Sequence, residues 1–235
     1  MPLWLKLAKG PLAYLALTIL VLGLVRQIIL TVWDMIVVKR RAGDQSKVPV
    51  WPAIKQTILW LLPTSHFRRA KPVFVFASLF FHLGVLVSAL FLGNHLDILR
   101  FLLGIAWPSI FKPILDWVAL IAILGGLYVL FYRLYARDAR ALSRGMDYFL
   151  VILLLCLFTS GYVAGQSWNP IPYNGLMLFH TLCGFTIITL APFTKITHCV
   201  LFPLNRIATE LAWRLTPHGG RDVTRTLYGS EERKI

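Results

Sequence analysis

The residues of this sequence best suited to chemistry are six histidines: His66, His82, His95, His180, His198 and His218. Four of them lie in or beside long apolar stretches: His82, His95, His180 and His198. An ionisable side chain at membrane depth is costly and is a functional candidate by default. A neutral imidazole offers one ring nitrogen to a metal, which makes these four candidate metal ligands. The other two lie in a basic loop and a polar tail, and we expect them to face solvent or a partner.

The composition indicates a membrane protein. Of 235 residues, 57% are apolar and 14% are charged, with a net charge of +14. A soluble domain carries about a quarter charged residues, so neither a soluble enzyme nor a disordered chain fits. Nucleic-acid binding does not account for the charge, because the basic residues lie between apolar runs and not on one soluble face.

Five apolar segments predict an all-α integral membrane bundle of five transmembrane helices. The segments cover residues 11–30, 73–92, 114–134, 148–164 and 175 to at least 190. Each approaches the roughly 20 residues that cross a bilayer core as a helix. Pro192 is expected to kink the last helix, since apolar sequence continues to Leu204. Residues 50–62 have apolar residues at helical spacing, which predicts a helix on the inner membrane surface.

The distribution of Lys and Arg predicts the orientation. The loops after the first and third segments and the C-terminal tail are basic, whereas the loops after the second and fourth carry few charges. Since cytoplasmic loops are enriched in Lys and Arg, the N-terminus is expected outside and the C-terminus in the cytoplasm. We predict a membrane domain over residues 1–210 and a short polar cytoplasmic tail over residues 211–235.

This orientation pairs the four histidines by depth. The second and fifth segments run in opposite directions, so His82 comes level with His198 on the inner side, and His95 with His180 on the outer side. Two imidazoles at one depth on facing helices are what a bis-histidine haem b requires. We therefore predict two haems b, one for each pair. The alternatives are a single haem, or no haem and hydrogen-bonded structural histidines.

Helical spacing supports the two pairs differently. His180 and His198 are 18 residues apart, which is about five turns and about 27 Å on a straight helix, so they would share a face. His82 and His95 are 13 residues apart, about 3.6 turns and about 20 Å, so they would not. Gly93 and Asn94 directly precede His95 and can end or bend the helix there.

Polar and small residues surround both predicted haems. On the inner side, four cations are candidates to bind the anionic haem propionates, with membrane anchoring as the alternative: Arg68, Arg69, Lys195 and Arg206. A quinol that loses electrons must also lose protons, and the outer polar residues are a candidate quinone site: Asn94, Asp97 and Arg100. Gly84 and Gly184 would admit a flat cofactor, with ordinary helix packing as the alternative.

The sequence around the histidines resembles a family of membrane cytochrome b subunits. This family contains the gamma-type subunits of respiratory nitrate reductases and the b-type subunits of heterodisulfide-reductase-like and sulfate-reducer transmembrane complexes. The matching motifs are FHLG at 81–84, LFHTLCGF around His180 and PFTKITH ending at His198. The segment ALFLGNHLDIL around His95 is more similar to the sulfate-reducer branch, because the nitrate reductase subunits place this histidine nearer the first, where Leu92 stands here.

The resemblance implies a dihaem subunit that transfers electrons between the quinone pool and partner subunits. It implies a quinone site near the outer haem and a cytoplasmic iron–sulfur or heterodisulfide-reductase-like partner beside the inner one. A periplasmic multihaem cytochrome c is a second expected partner. The chain would be a multi-pass protein of the cell inner membrane and would contain no catalytic residues of its own.

Two functions from other classes remain open on the sequence alone. A small-solute or proton-coupled transporter without haem would have acidic residues within its spans. In this sequence the only acidic residue within a predicted span is Asp116, at the edge of the third. A non-redox membrane anchor would need none of the paired histidines. Haem content separates both from the dihaem interpretation.

Overall fold

The computed structural model of the chain describes residues 3, 7–41, 50–61, 71–104, 107–215 and 225. These residues form helices and turns, with no strand among them. The helices are α1 (Ala13–Arg41), α2 (Val50–Leu61), α3 (Pro72–Phe91), α4 (Gly93–Leu103), α5 (Lys112–Tyr135), α6 (Arg137–Leu142), α7 (Gly145–Ala164), α8 (Tyr173–Leu190) and α9 (His198–Leu215). A π-helical turn (Ala8–Leu12) precedes α1, and two 3₁₀ turns (Ala191–Phe193 and Lys195–Thr197) lie between α8 and α9.

Five candidate membrane spans among the described residues confirm the predicted all-α membrane fold. They are Gly10–Val38, Pro72–Phe91, Lys112–Tyr135, Gly145–Ala164 and Tyr173–Phe193. Large apolar side chains are exposed along these helices, among them Phe80, Trp117 and Phe179. Exposed apolar surface on spans of this length suits contact with lipid. The chain is a multi-pass membrane protein.

The first span is longer than predicted. Residues 24–41 contain no Gly or Pro, so nothing interrupts the helix at residue 30, and α1 continues to Arg41. The extension brings Asp34 into the first candidate span. The fourth span likewise begins at Gly145 and includes Asp147. The expectation that Asp116 is the only acidic residue within a span is therefore wrong.

The predicted continuation of the fifth helix as one kinked helix is also wrong. α8 ends at Leu190, and Pro192, which has no backbone N–H to donate, is fully buried in the turn that follows. Thr194 is extended, with φ −128° and ψ −178°, and its hydroxyl accepts a hydrogen bond from the N–H of Ile196. A new helix then begins at His198. The straight-helix spacing from His180 to His198 does not apply to this chain.

The chain divides into two compact units. One comprises Met1–Leu20 and Ser65–Ala191, and the other comprises Val21–Thr64 and Pro192–Ile235. The predicted boundary between a membrane domain and a tail at residue 210 stays a prediction. Most of the predicted polar tail lies outside the described residues.

The first unit is built on small residues that bring its helices close together. α3 packs against α5, α5 against α7, and α7 against α8. A Cβ atom placed on Gly84 of α3 would lie 2.3 Å from the Cβ of Ala122, and one on Gly125 would lie 2.7 Å from the carbonyl oxygen of Ala77. Small residues allow such approach in membranes, where van der Waals packing drives helix association. Gly84 thus serves packing against α5, and Gly184 makes only an ordinary contact at 3.7 Å to Leu157.

Replacing Gly84 by alanine tests this packing. The added methyl group would overlap Ala122, so the helices must move apart, and the free energy of unfolding should fall by about 1–3 kcal/mol. Gly145→Ala is the matched control, because nothing lies within 4 Å of a Cβ at that position. Denaturation in detergent micelles measures both. Equal stability of the two variants would contradict the close α3–α5 contact.

The second unit contains α2, α9 and most of α1. α2 packs against α9, and Thr57 of α2 is buried. The helix predicted over residues 50–62 is confirmed, while its location on the membrane surface stays a prediction. Gln27 of α1 donates a hydrogen bond from Nε2 to the carbonyl oxygen of Pro192 at 3.2 Å. A Cβ on Gly23 would lie 2.5 Å from the Cβ of Pro192, so α1 lies directly against this turn.

Candidate functional site

A break after α3 positions His95. The helix ends at Phe91, Leu92 adopts an extended conformation with ψ 127°, and α4 begins at Gly93. The expectation that the helix ends or bends at Gly93 and Asn94 is confirmed. Because the helix is interrupted, the 13-residue spacing from His82 does not decide which way His95 faces.

The carbonyl groups at the end of α3, which have no partner within the helix, accept hydrogen bonds from residues that follow it in the chain. A helix leaves its last carbonyls without partners, and buried ones must be satisfied from outside. Three donors do this here: His95 Nδ1 to Ser88 at 3.0 Å, Trp107 Nε1 to Leu90 at 2.8 Å, and the Ile110 N–H to Phe91 at 3.1 Å. The His95 ring is therefore held against the helix end by its own Nδ1–H.

His180 on α8 is held by the neighbouring helix α7. Its Nδ1 lies 3.0 Å from the carbonyl oxygen of Leu157 and 3.2 Å from the Oγ of Ser160. The buried Ser160 hydroxyl donates to the same Leu157 carbonyl at 3.0 Å. Since the carbonyl can only accept, His180 Nδ1 carries the hydrogen in this arrangement.

Gly161 leaves the space that the His180 ring occupies. A Cβ at Gly161 would lie 2.6 Å from Cε1 and 3.0 Å from Nδ1 of the imidazole. No side chain larger than hydrogen fits there without displacing the ring. Sequence reasoning missed both Ser160 and Gly161; the signal was a pair of small residues in a span otherwise rich in leucine.

The structure brings His95 and His180 together within the first unit. Their ring centroids are 6.1 Å apart, and the ring planes are 14° from parallel. Both residues are half-buried. Each Nδ1–H donates to a backbone carbonyl, so each Nε2 carries the lone pair. Metal-bound histidines characteristically donate their second ring N–H in this way, which fixes the tautomer and the ring orientation.

The separation fits a metal between the two rings. A bond from a metal to an imidazole nitrogen is about 2 Å, and each nitrogen is about 1.1 Å from its ring centre, so two rings on opposite sides of one metal would have centroids about 6 Å apart. Ordinary aromatic pairs span about 4.5–7 Å. The Nδ1 hydrogen bonds are therefore stronger evidence for metal ligation than the distance between the rings.

A buried hydroxyl beside this pair also fits a bound polar group. Ser88, whose carbonyl accepts from His95, has a buried Oγ with no hydrogen-bond partner among the described residues. A buried hydroxyl without a partner is destabilising, and a polar edge of a cofactor would supply one. Among the residues that the structure describes, no group of three His, Cys, Asp or Glu residues converges. Two imidazole nitrogens are the donors that a haem b would take from a protein.

The environment of His95 favours its neutral form. Burial lowers the pKa of His95 below its ordinary value, while hydrogen bonds to the Ser88 and Ala89 backbone oppose this shift. Only the neutral ring has a lone pair to offer a metal.

The predicted inner ligands lie in different units. His82, in the middle of α3, has Nδ1 2.6 Å from the carbonyl oxygen of Ser78. His198, at the start of α9, has Nδ1 within hydrogen-bonding distance of the carbonyl oxygen of Lys195. Both histidines are exposed and both place Nδ1 on a backbone carbonyl, as the other pair does. His82 belongs to the first unit and His198 to the second, and their pairing stays a prediction.

A cysteine lies next to His198. The Cys199 Sγ is 3.9 Å from His198 Nε2. This contact raises the pKa of His198, with burial opposing it, and lowers the pKa of the Cys199 thiol. Ligation of a metal through Nε2 would replace it.

The remaining predicted site residues fall into three groups. Lys195 and Arg206 lie in the second unit with His198, whereas Arg68 and Arg69 lie outside the described residues. The predicted quinone-site residues lie with His95 on α4: Asn94, Asp97 and Arg100. Within this helix the carboxylate of Asp97 is 3.6 Å from the guanidinium of Arg100, and both side chains are exposed.

The chain is similar to a protein of Nitratidesulfovibrio vulgaris (strain Hildenborough). The two are 30% identical over 155 residues, which cover 66% of this chain and 68% of the relative. No family model matches the chain. No solved structure matches it either.

Proposed function

The chain belongs to the same family as this Nitratidesulfovibrio protein, and we propose that it is a dihaem membrane cytochrome b. In this proposal it transfers electrons between the quinone pool and redox partner subunits. The observation that supports it best is the His95–His180 pair. Two half-buried imidazoles lie 6.1 Å apart, with both Nδ1–H groups donated to backbone carbonyls.

The residues of the chain have separate tasks in this function. When bound, a b-type haem takes up one electron and passes it on. His95 and His180 would hold the outer haem through Nε2, while Ser160 and the carbonyls of Leu157 and Ser88 orient the rings. The apolar spans exclude water and keep each group fixed in a low-dielectric environment.

The proposal also covers the orientation of the chain in the membrane, its quinone site and its partner subunits. In this proposal the N-terminus is outside and the C-terminus is in the cytoplasm of a cell inner membrane, an orientation that the basic loops favour. Asn94, Asp97 and Arg100 form the quinone site beside the outer haem. The cytoplasmic partner is an iron–sulfur or heterodisulfide-reductase-like subunit, and a multihaem cytochrome c binds on the periplasmic side. Lys195, Arg206, Arg68 and Arg69 supply cations for the propionates of the inner haem.

The inner pair is tested by two single substitutions. His82→Ala and His198→Ala should each remove the same haem, so that the spectrum of either variant retains only the other one. The double variant should then lose no more haem than either single variant. Optical difference spectra and haem iron analysis of the purified chain measure this. Loss of different haems in the two variants would refute the pairing.

Electron transfer is tested by adding a quinol to the chain in liposomes and following the reduced b-type α band. Rapid reduction, abolished in His95→Ala, is the result expected. A proton-coupled transporter is the second candidate, and the observation in its favour is Asp34 within the first span. It predicts proton-driven solute uptake into the liposomes by a chain that contains no haem iron.

A further inference from the structure

We propose that the second unit contains a binding site for a lipid-soluble ring bearing hydroxyl groups, of the hydroquinone class, with Asp34 as its principal hydrogen-bond acceptor. The assignment to hydroquinones rests on the proposed function, whereas the chemistry of the cavity does not. This site is separate from the predicted quinone site on α4, because all of its residues belong to the second unit.

The site is a cavity of about 340 Å³ between α1 and α9. One face of each helix lines it, with residues three or four positions apart: Thr31, Asp34, Met35 and Val38 from α1, and Asn205, Ala208 and Thr209 from α9. Small-molecule sites typically measure about 300–1,000 Å³ and combine apolar walls with a few polar groups. A water occupies about 30 Å³ of the liquid, so a bare cation would leave most of this space unfilled.

The polar lining consists of two threonine hydroxyls, the Asp34 carboxylate and the Asn205 amide, which can both donate and accept. Thr31 donates its hydroxyl hydrogen to the carbonyl of Gln27 at 2.9 Å, and Thr209 donates to the carbonyl of Asn205 at 2.9 Å. Their oxygen lone pairs remain, because each hydroxyl has one donor and two acceptor positions. Asp34 adds a carboxylate, which forms no ion pair or hydrogen bond within the described part of the chain. The Asp34 carboxylate can only accept, so a ligand that pairs with it must bring a hydrogen-bond donor, as a hydroquinone does and a quinone does not.

The apolar lining and the depth of the site suit a lipid-soluble ring. Met35, Val38 and Ala208 supply the apolar wall. The first span covers 29 residues, about 43 Å of helix against a bilayer core of about 30 Å, so its ends reach the headgroup region. Asp34 lies four residues before the end of that span at Val38. A ligand dissolved in the bilayer reaches this depth with its hydroxyl groups at the polar boundary.

The elements around the cavity are tied to one another. Gln27 donates to the carbonyl of Pro192, and the missing side chain at Gly23 lets α1 lie against the same proline. α9 begins at His198, after the second 3₁₀ turn (Lys195–Thr197). Gln27 lies four residues, about one helical turn, before Thr31 of the lining, so α1 is anchored close to the cavity.

The experiment is photolabelling of the full-length purified chain with an azido-hydroquinone, followed by peptide mapping. Label is expected within residues 31–38 and 205–209, and unlabelled hydroquinone should compete with it. Asp34→Asn preserves shape and should weaken binding about tenfold or more, since hydrogen bonds to charged groups are the stronger ones. Asp116→Asn, at the edge of another span and paired with Lys112, is the matched control and should bind as the unaltered chain does.

The outcomes separate this inference from the proposed function. Label confined to residues 94–100, or equal labelling of the Asp34→Asn variant, would overturn the inference even if the chain contains haem. Label at α1 and α9 in a chain without haem iron would support the inference and refute the dihaem function. Gel filtration and circular dichroism of the Asp34→Asn variant establish that it remains folded.

Discussion

Replacing His180 with alanine is expected to remove about half of the bound haem while the helical bundle stays folded. The reason is that each axial ligand of a bis-histidine haem is needed to hold the iron within the membrane. Removing the His180 ring leaves no carbonyl without a hydrogen bond at this position, because Ser160 still donates to the Leu157 carbonyl. Haem iron per chain and the α-band spectrum of the purified variant measure the loss.

Two comparisons make this result specific. His95→Ala should remove the same haem as His180→Ala, since the two rings are 6.1 Å apart, and combining the substitutions should remove no more. His218→Ala, in the polar tail, should retain the full haem content. The prediction fails if His95→Ala and His180→Ala remove different haems, or if both leave the spectrum unchanged.

Replacing Gly161 with valine is expected to have nearly the effect of removing His180 itself. A Cβ at this position would lie 2.6 Å from the imidazole, and the two γ-methyl groups of valine add further overlap. The ring must leave the position fixed by Leu157 and Ser160, and the arrangement of the two imidazoles is lost with it. We expect loss of the outer haem, and in the smaller Gly161→Ala variant a shifted midpoint potential of that haem with partial retention. Redox titration of the α band measures both.

Gly165→Val is the control for this substitution. It lies one turn further along the same segment, and a Cβ there would make only ordinary contacts, at 3.5 Å to the Lys112 side chain and 3.5 Å to the Tyr162 carbonyl oxygen. Its haem content and potentials should match those of the unaltered chain. If Gly161→Val retained both haems with unchanged potentials, the position of the His180 ring would be irrelevant to haem binding.

Much of the fold could be predicted from hydropathy alone. The second, third and fourth spans are found within three residues of their predicted ends, because Pro72 and Pro113 begin helices and runs of apolar residues continue them. The break before His95 was also predictable, since Gly93 and Asn94 interrupt a strongly apolar pattern. These features are local, and local sequence determines them.

Other features depend on tertiary contacts that a sequence pattern does not contain. The fifth helix ends at Leu190 because Pro192 is buried against α1 at Gly23 and Gln27, about 165 residues away in the chain. Hydropathy alone favours a continuous helix there. The contacts of His180 with Ser160 and Gly161 are likewise between neighbouring helices. Their signal, two small residues in an apolar span, is equally typical of ordinary helix packing.

In the proposed function, imidazoles of this chain ligate haem iron within the membrane. Near-infrared magnetic circular dichroism of the oxidised, purified chain reports the axial ligands directly, and haem iron analysis gives the number of haems per chain. The account predicts two low-spin ferric haems per chain, each with bis-imidazole ligation, and one of them absent in His95→Ala. A chain without haem iron, or one whose haem has thiolate or methionine ligation, would contradict it.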